Sequence, residues 1–116
     1  MTTPTRGEVW HVRFDPAVGA EMQKTRPAVV ISVDEVGILP LRIIVPITGW
    51  QTAFANRPWL VRIRPRADNG LTKESVADAF QVKSLSLARF DSRVGTLTGL
   101  ELEEIAAAIA LCVGYG

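Results

Sequence analysis

Several absences narrow the chemistry before any motif is read. The 116-residue chain has one cysteine, Cys112, so it can form neither an intramolecular disulfide nor a cysteine-rich zinc site. Its one histidine, His11, excludes any mechanism that needs a pair of them. No apolar run approaches the roughly 20 residues of a membrane-spanning helix. The stretch from Met1 to Arg6 lacks the apolar centre of a signal peptide. A soluble, cytoplasmic protein without membrane contact is expected. The phosphate-binding GxxxxGK(S/T), a GxGxxG after a strand, HExxH and GxSxG are all missing. Carboxylates are scattered, with no cluster to hold a metal, so no metal or other cofactor is expected. An enzyme of this composition must work with Arg, Lys, Thr, Ser, Gln and isolated carboxylates.

What remains suits one compact domain over residues 1–116. Hydrophobic residues make up 47% and charged residues 22%, enough for a core and too ordinary for wholesale disorder. The net charge of +1 conceals an asymmetry. Residues 1–66 carry nine Lys/Arg against five Asp/Glu, about +4, and residues 67–116 carry four against seven, about −3. The first part is the better face for a polyanion, although a small domain also scatters charge by chance.

Short apolar runs separated by Pro, Gly and Asn predict strands. Val9 to Phe14 alternates, with Val9, His11 and Arg13 on one face and Trp10, Val12 and Phe14 on the other. Asp15-Pro16 and Gly19 mark a loop. Pro27 opens a buried strand from Ala28 to Val33. Leu41 to Ile47 is a third, and Pro46 near its end points to an edge or bulge. Trp59 to Ile63 alternates again, and Asn69-Gly70 is a turn signal. Ser75 to Val82 and Val94 to Leu97 are weaker strands, with a helical turn expected from Ser86 to Phe90. Thr98 and Glu101 have capping-box spacing. A stripe of Leu102, Ile105, Ala106, Ile109 and Val113 then predicts a final helix. Closely spaced strands without intervening helices imply a small, strongly bent sheet or partly open barrel.

Two strand junctions concentrate polar chemistry. In the first, Gly19 to Pro27, Arg26 precedes a proline and is biased to extended backbone at the loop's end. Its guanidinium can grip a phosphate bidentately; pairing with Glu21 on the surface is the plainer explanation. In the second, Thr48 places a hydroxyl at the end of a buried strand, where a turn residue bonding its own backbone is the plainer explanation.

Taken in order, these segments resemble the MazF/PemK-type toxins, the mRNA interferases of type II toxin–antitoxin systems. The resemblance rests on Arg6-Gly7-Glu8-Val9-Trp10, Phe14-Asp15-Pro16, Val18-Gly19-Ala20-Glu21 and Thr25-Arg26-Pro27-Ala28-Val29-Val30. It continues through Pro46-Ile47-Thr48, Gly70-Leu71-Thr72-Lys73-Glu74-Ser75-Val76, Gln81-Val82-Lys83-Ser84 and Gly95-Thr96-Leu97, covering Arg6 to about Val113.

The resemblance implies a mainly β fold with short helices, an SH3-like barrel of the CcdB/PemK type with a C-terminal α-helix, and a homodimer. It implies metal-independent, sequence-specific cleavage of single-stranded RNA, restrained by a cognate antitoxin with an acidic, partly disordered segment. Carried across, Arg26 and Thr48 form the catalytic pair and Glu21 is the candidate proton acceptor, with His11 as its rival. Lys24, Thr25, Ser75 and Gln81 fall to RNA binding. Trp50 and Phe54, in a loop with Asn56 and Arg57, either stack bases or close the barrel or a dimer contact. The chain departs from the pattern at His11, at Arg13 and at Phe80, where an acidic residue is usual; Asp78 lies two positions earlier. A CcdB-like gyrase poison and a non-catalytic RNA-binding barrel are the alternatives.

Overall fold

The alternation in Val9 to Phe14 is realised as strand β1, Glu8–Arg13, in a computed structural model that describes residues 3–14, 24–36 and 38–116. Trp10, Val12 and Phe14 enter one apolar cluster with Ala28, Val30, Ile44, Leu85 and Phe90. Val9 points the other way, into a second cluster with Val29, Val45, Ile47 and Ile63. His11 and Arg13, on the side of Val9, are exposed. The sheet buries both faces at its centre. That is why β2, Thr25–Val30, and β3, Leu41–Gly49, carry consecutive rather than alternating apolar residues.

Four further strands complete the sheet: β4, Leu60–Ile63; β5, Ser75–Asp78; β6, Lys83–Ser86; and β7, Phe90–Thr96. The order is β4-β5-β3-β2-β1-β7, with β6 also on β3, and every pairing is antiparallel. The mainly β fold expected from the sequence is present. The path of strands is open, with β4 and β7 at its ends, so the term barrel describes its curvature rather than a closed ladder. Two register shifts between β1 and β7 supply part of that curvature.

Several expectations are corrected. β2 begins at Thr25 and ends at Val30, so Arg26 lies within a strand. Beyond Val30, the amides of Ile31 and Ser32 both donate to the Ile43 carbonyl, at 2.9 and 3.3 Å, and the chain turns away. Pro46 is fully buried on the central strand, not at an edge. It is tolerated because β3 changes partner there: β6 pairs with Leu41–Ile44 and β5 with Ile47–Gly49. The strand predicted from Ser75 to Val82 stops at Asp78 and becomes a 3₁₀ turn, Ala79–Gln81. The turn predicted from Ser86 to Phe90 is a 3₁₀ turn at Leu87–Arg89.

The helix α1, Gly99–Cys112, begins with the predicted capping box. The Glu101 amide donates to Thr98 Oγ1 at 3.1 Å, and Glu101 Oε1 accepts from the Thr98 amide at 2.9 Å. Its buried residues are Ile105 and Ala108, flanked by Leu102, Ile109 and Cys112. Ala106 and Val113 are exposed, so the apolar face is rotated from the predicted stripe. Among the described residues, no helix is long and apolar enough to cross a membrane.

Arg66 clamps this helix to the segment after β4. Its Nη1 and Nη2 each donate to a Glu101 oxygen at 2.8 Å. These bonds hold the Glu101 carboxyl below the ordinary carboxylate range, against the opposing cost of burial, with the Thr98 bonds adding to the effect. A carboxyl with a depressed folded pKa stabilises above its unfolded value, near 4.3, and loses that contribution as pH falls through the folded value. Glu101→Gln should cost about 1–2 kcal/mol at pH 7 and much less once the wild-type carboxyl is protonated. Thermal midpoints of both proteins between pH 7 and pH 2 measure this; parallel curves would refute it.

Candidate active site

β2 and β3 are paired through Ala28↔Pro46, Val29↔Val45 and Val30↔Ile44. Continuing that register by two residues brings Arg26 opposite Thr48. A cleft opens beside these two residues. On its other edge, β3 pairs Thr48 with Val76 and Gly49 with Ser75. The cleft has a volume of about 150 Å³ and is lined by Thr25 to Pro27, Ile47 to Gly49, Leu71 to Lys73 and Ser75.

Three segments remote in sequence therefore converge. Arg26 and Thr48 are both half-buried on the cleft wall. Thr25 is exposed at its mouth. Lys73 is a residue that sequence reasoning did not single out. Its Nζ lies so close to Gly49 that a Cβ there would come within 3.1 Å of it. The cleft thus gathers a guanidinium, an ammonium and a hydroxyl, a set that can neutralise and orient a phosphodiester. The available signal for Lys73 was its place in the segment that also carries Ser75.

Ser75 lines the cleft but is buried, and its Oγ donates to the Lys73 carbonyl at 2.9 Å. That bond fixes the segment bearing Lys73. Gln81 does not line this cleft. Its Nε2 donates to Asp78 Oδ2 at 3.2 Å, and it borders a separate hollow with Trp59, Asp78 and the exposed Phe80. Asp78 also accepts from the Phe80 amide at 3.1 Å, capping the 3₁₀ turn. Lys24 is exposed with φ +67°, just before β2. His11 pairs with Pro27 and Ser92, is exposed, and does not line the cleft. Glu21, with Asp15, Pro16 and Gly19 of the same predicted loop, lies outside the described residues. Among the described residues, no three His, Cys, Asp or Glu side chains converge.

A turn positions the Lys73 segment. Asn69 is fully buried; its Oδ1 accepts from the amides of Arg66 and Leu71, each at 3.0 Å, and its Nδ2 donates to the Arg64 carbonyl at 2.9 Å. Gly70 adopts φ +70°, as the predicted Asn69-Gly70 turn requires. Trp50, directly after the cleft, packs edge to face on Phe54 with centroids 6.4 Å apart. Both rings are half-buried and lie outside the two core clusters.

The chain resembles known proteins over nearly its whole length. Residues 5–113 match the PemK-like, MazF-like toxin of type II toxin–antitoxin systems. Endoribonuclease MazF9 of Mycobacterium tuberculosis is 31% identical over 112 residues, covering 91% of this chain and 92% of that protein. The crystal structure of MazF from Deinococcus radiodurans superposes with a TM-score of 0.82 at 23% identity, over 98% of this chain and 99% of that one. An endoribonuclease in complex with its cognate antitoxin, from mycobacterial species, gives 0.76 at 20% identity over 97% of each chain. At those identities the two structures establish the shared fold.

Proposed function

The chain belongs to the PemK-like, MazF-like toxin family of type II toxin–antitoxin systems, and from that premise we propose that it is an endoribonuclease whose active site is the cleft between Arg26 and Thr48. The observation that carries the assignment is their convergence, with Lys73, from separate strands and a loop onto one small cleft.

RNA brings its own nucleophile. The 2′-oxygen attacks the adjacent phosphorus, the O2′–P bond forms and the P–O5′ bond breaks. The products are a 2′,3′-cyclic phosphate and a 5′-hydroxyl, with no metal required. The proton leaving the 2′-OH passes to a general base, and the departing 5′-oxygen takes up a proton. Arg26 and Lys73 oppose the charge that builds on the phosphate oxygens. Thr48 can donate to one of those oxygens or orient the 2′-OH, because a hydroxyl both donates and accepts. Glu21 is the general base in this reading, a carboxylate five residues before Arg26. Lys24 and Thr25 hold the backbone at the mouth, and Ser75 holds the far wall. Gln81 reads RNA from its separate hollow.

The same reading gives the protein a second copy of itself as partner, an antitoxin with an acidic segment as restraint, and the cytoplasm as its place of action. The cations gathered in the first 66 residues suit both polyanions.

The purified protein should cut single-stranded RNA in excess EDTA and leave 2′,3′-cyclic phosphate and 5′-hydroxyl ends. A single 2′-deoxy substitution on the 5′ side of the cut should abolish cleavage there, because the nucleophile is gone. Mapping cut ends on a long RNA reads activity, end chemistry and recognition sequence together. Cleavage that survives the deoxy substitution, or that EDTA stops, would rule out this mechanism.

A further inference from the structure

We propose that the hollow beside Trp50 and Phe54 is a subsite for one unpaired nucleobase within two nucleotides of the cut, selecting guanine or uracil. The inference rests on the ribonuclease reading above and assigns part of its sequence preference. The hollow has a volume of about 450 Å³, within the range of small-ligand pockets. Trp50 directly follows Gly49 of the cleft wall, and its amide donates to the Glu74 carbonyl at 2.9 Å. The ring is thereby tied to the segment that carries Lys73 and Ser75. A base held here belongs to the strand whose phosphate lies in the cleft.

The lining chemistry selects the ligand. The Arg62 guanidinium lies over the Trp50 ring, 4.3 Å from its centroid, and Arg57 lies over Phe54 at 5.6 Å. Glu74 steadies Arg62 through a 3.3 Å ion pair without itself lining the hollow. Flat aromatic and guanidinium surfaces are what an unstacked base needs in exchange for its neighbours in the strand. Guanidinium groups donate and never accept. Asn56 adds an amide, and among the described residues no carboxylate borders the space. A base edge rich in carbonyl acceptors matches such walls. Guanine can turn its paired N7 and O6 acceptors to them and uracil its O4 and O2, whereas the N6 amino group of adenine and the N4 amino group of cytosine stand on the corresponding edge and would face donors. The two cations also favour the flanking phosphates.

The test compares wild type, Trp50→Ala, Trp50→Phe and Phe54→Ala on a short single-stranded RNA carrying an abasic nucleotide at each position in turn. For wild type, one abasic position within two nucleotides of the cut should lower kcat/KM by roughly 5- to 150-fold, the range of one lost base–aromatic stack. Guanine or uracil should be preferred there. Trp50→Ala should lose about the same factor on intact RNA and become indifferent to that abasic position. Trp50→Phe should retain the response, and thermal unfolding of each variant separates a folding defect from a lost stack. An uncleavable 2′-deoxy oligomer gives the same comparison in Kd. If wild type cuts RNA but Trp50→Ala keeps its abasic profile, or adenine or cytosine is preferred, the subsite is refuted and the ribonuclease reading stands. If wild type neither cuts nor binds any RNA, both fall.

Discussion

Arg26→Ala is expected to lower kcat on single-stranded RNA by about 10²–10³-fold, the usual cost of deleting one group that stabilises a developing oxyanion. The thermal midpoint should stay within a few degrees, since Arg26 is half-buried at the cleft and outside both core clusters. Arg26→Lys separates charge from geometry. It keeps a point charge beside Lys73 but loses the planar fork, so an intermediate loss is expected. Thr48→Val, close in shape and without the hydroxyl, should also fall by an order of magnitude or more. Because the two residues serve one transition state, the double variant should be much less impaired than the product of the single losses. Single-turnover cleavage of all four proteins decides the matter. An Arg26→Ala enzyme that retains more than about a tenth of wild-type kcat would remove Arg26 from the chemistry.

The second large effect is on folding. A Cβ on Gly95 would come 2.4 Å from the Asn69 carbonyl carbon and 2.5 Å from the Asp68 oxygen. Both atoms are backbone and cannot swing aside. The strand lies this close because the Thr96 amide donates to the Asp68 carbonyl at 2.8 Å. Gly95→Ala must therefore part β7 from the 66–70 turn, breaking that bond and loosening Asn69. Overpacking against rigid atoms costs about 1–3 kcal/mol, and lost hydrogen bonds add to it. A loss of about 3 kcal/mol or more, with a midpoint lower by about 10 °C or more, is expected. Gly99→Ala is the control: at the first position of α1 nothing lies within 4 Å of the added methyl, and it should be neutral or slightly stabilising. Equal midpoints for the two variants in chemical or thermal unfolding would refute the packing argument. Since Asn69 also fixes the Leu71 amide, Gly95→Ala should weaken catalysis in the fraction that folds, by misplacing Lys73.

These residues also mark how far the sequence could be read. β1 was legible because Trp10, Val12 and Phe14 alternate against His11 and Arg13, and the helix start because Thr98 and Glu101 stand at capping-box spacing. β6 was not legible: Lys83-Ser84-Leu85-Ser86 offers one buried apolar residue, and it is a strand because β3 has a free edge there. Pro46 misled because a local rule about edges cannot see a central strand changing partners. Ala106 and Val113 fit the helical period yet face solvent, since the direction of the helix's apolar side is set by the sheet beneath it. At the site, Arg26 and Thr48 came from the family resemblance. Their meeting is a matter of register that no local pattern encodes. Lys73 and the Arg66–Glu101 clamp depend on approaches across more than 20 residues and emerged only in three dimensions.

The pairing of β1 with β7 joins Glu8 to Thr96, partners separated by 88 positions. Antiparallel contacts between neighbours such as β4 and β5 can form as soon as both strands exist, but this one waits for almost the whole described chain. During synthesis the first strand therefore leaves the ribosome long before its second neighbour is made. The close approach of Gly95 to Asn69, which seats the Lys73 segment, waits with it. A nascent chain short of residue 96 carries Arg26 and Thr48 but lacks the ordered wall that faces them. A chain cut short before residue 96 is therefore expected to lose cleavage even with Arg26 and Thr48 both present, and single-turnover assays of that truncation would measure the loss.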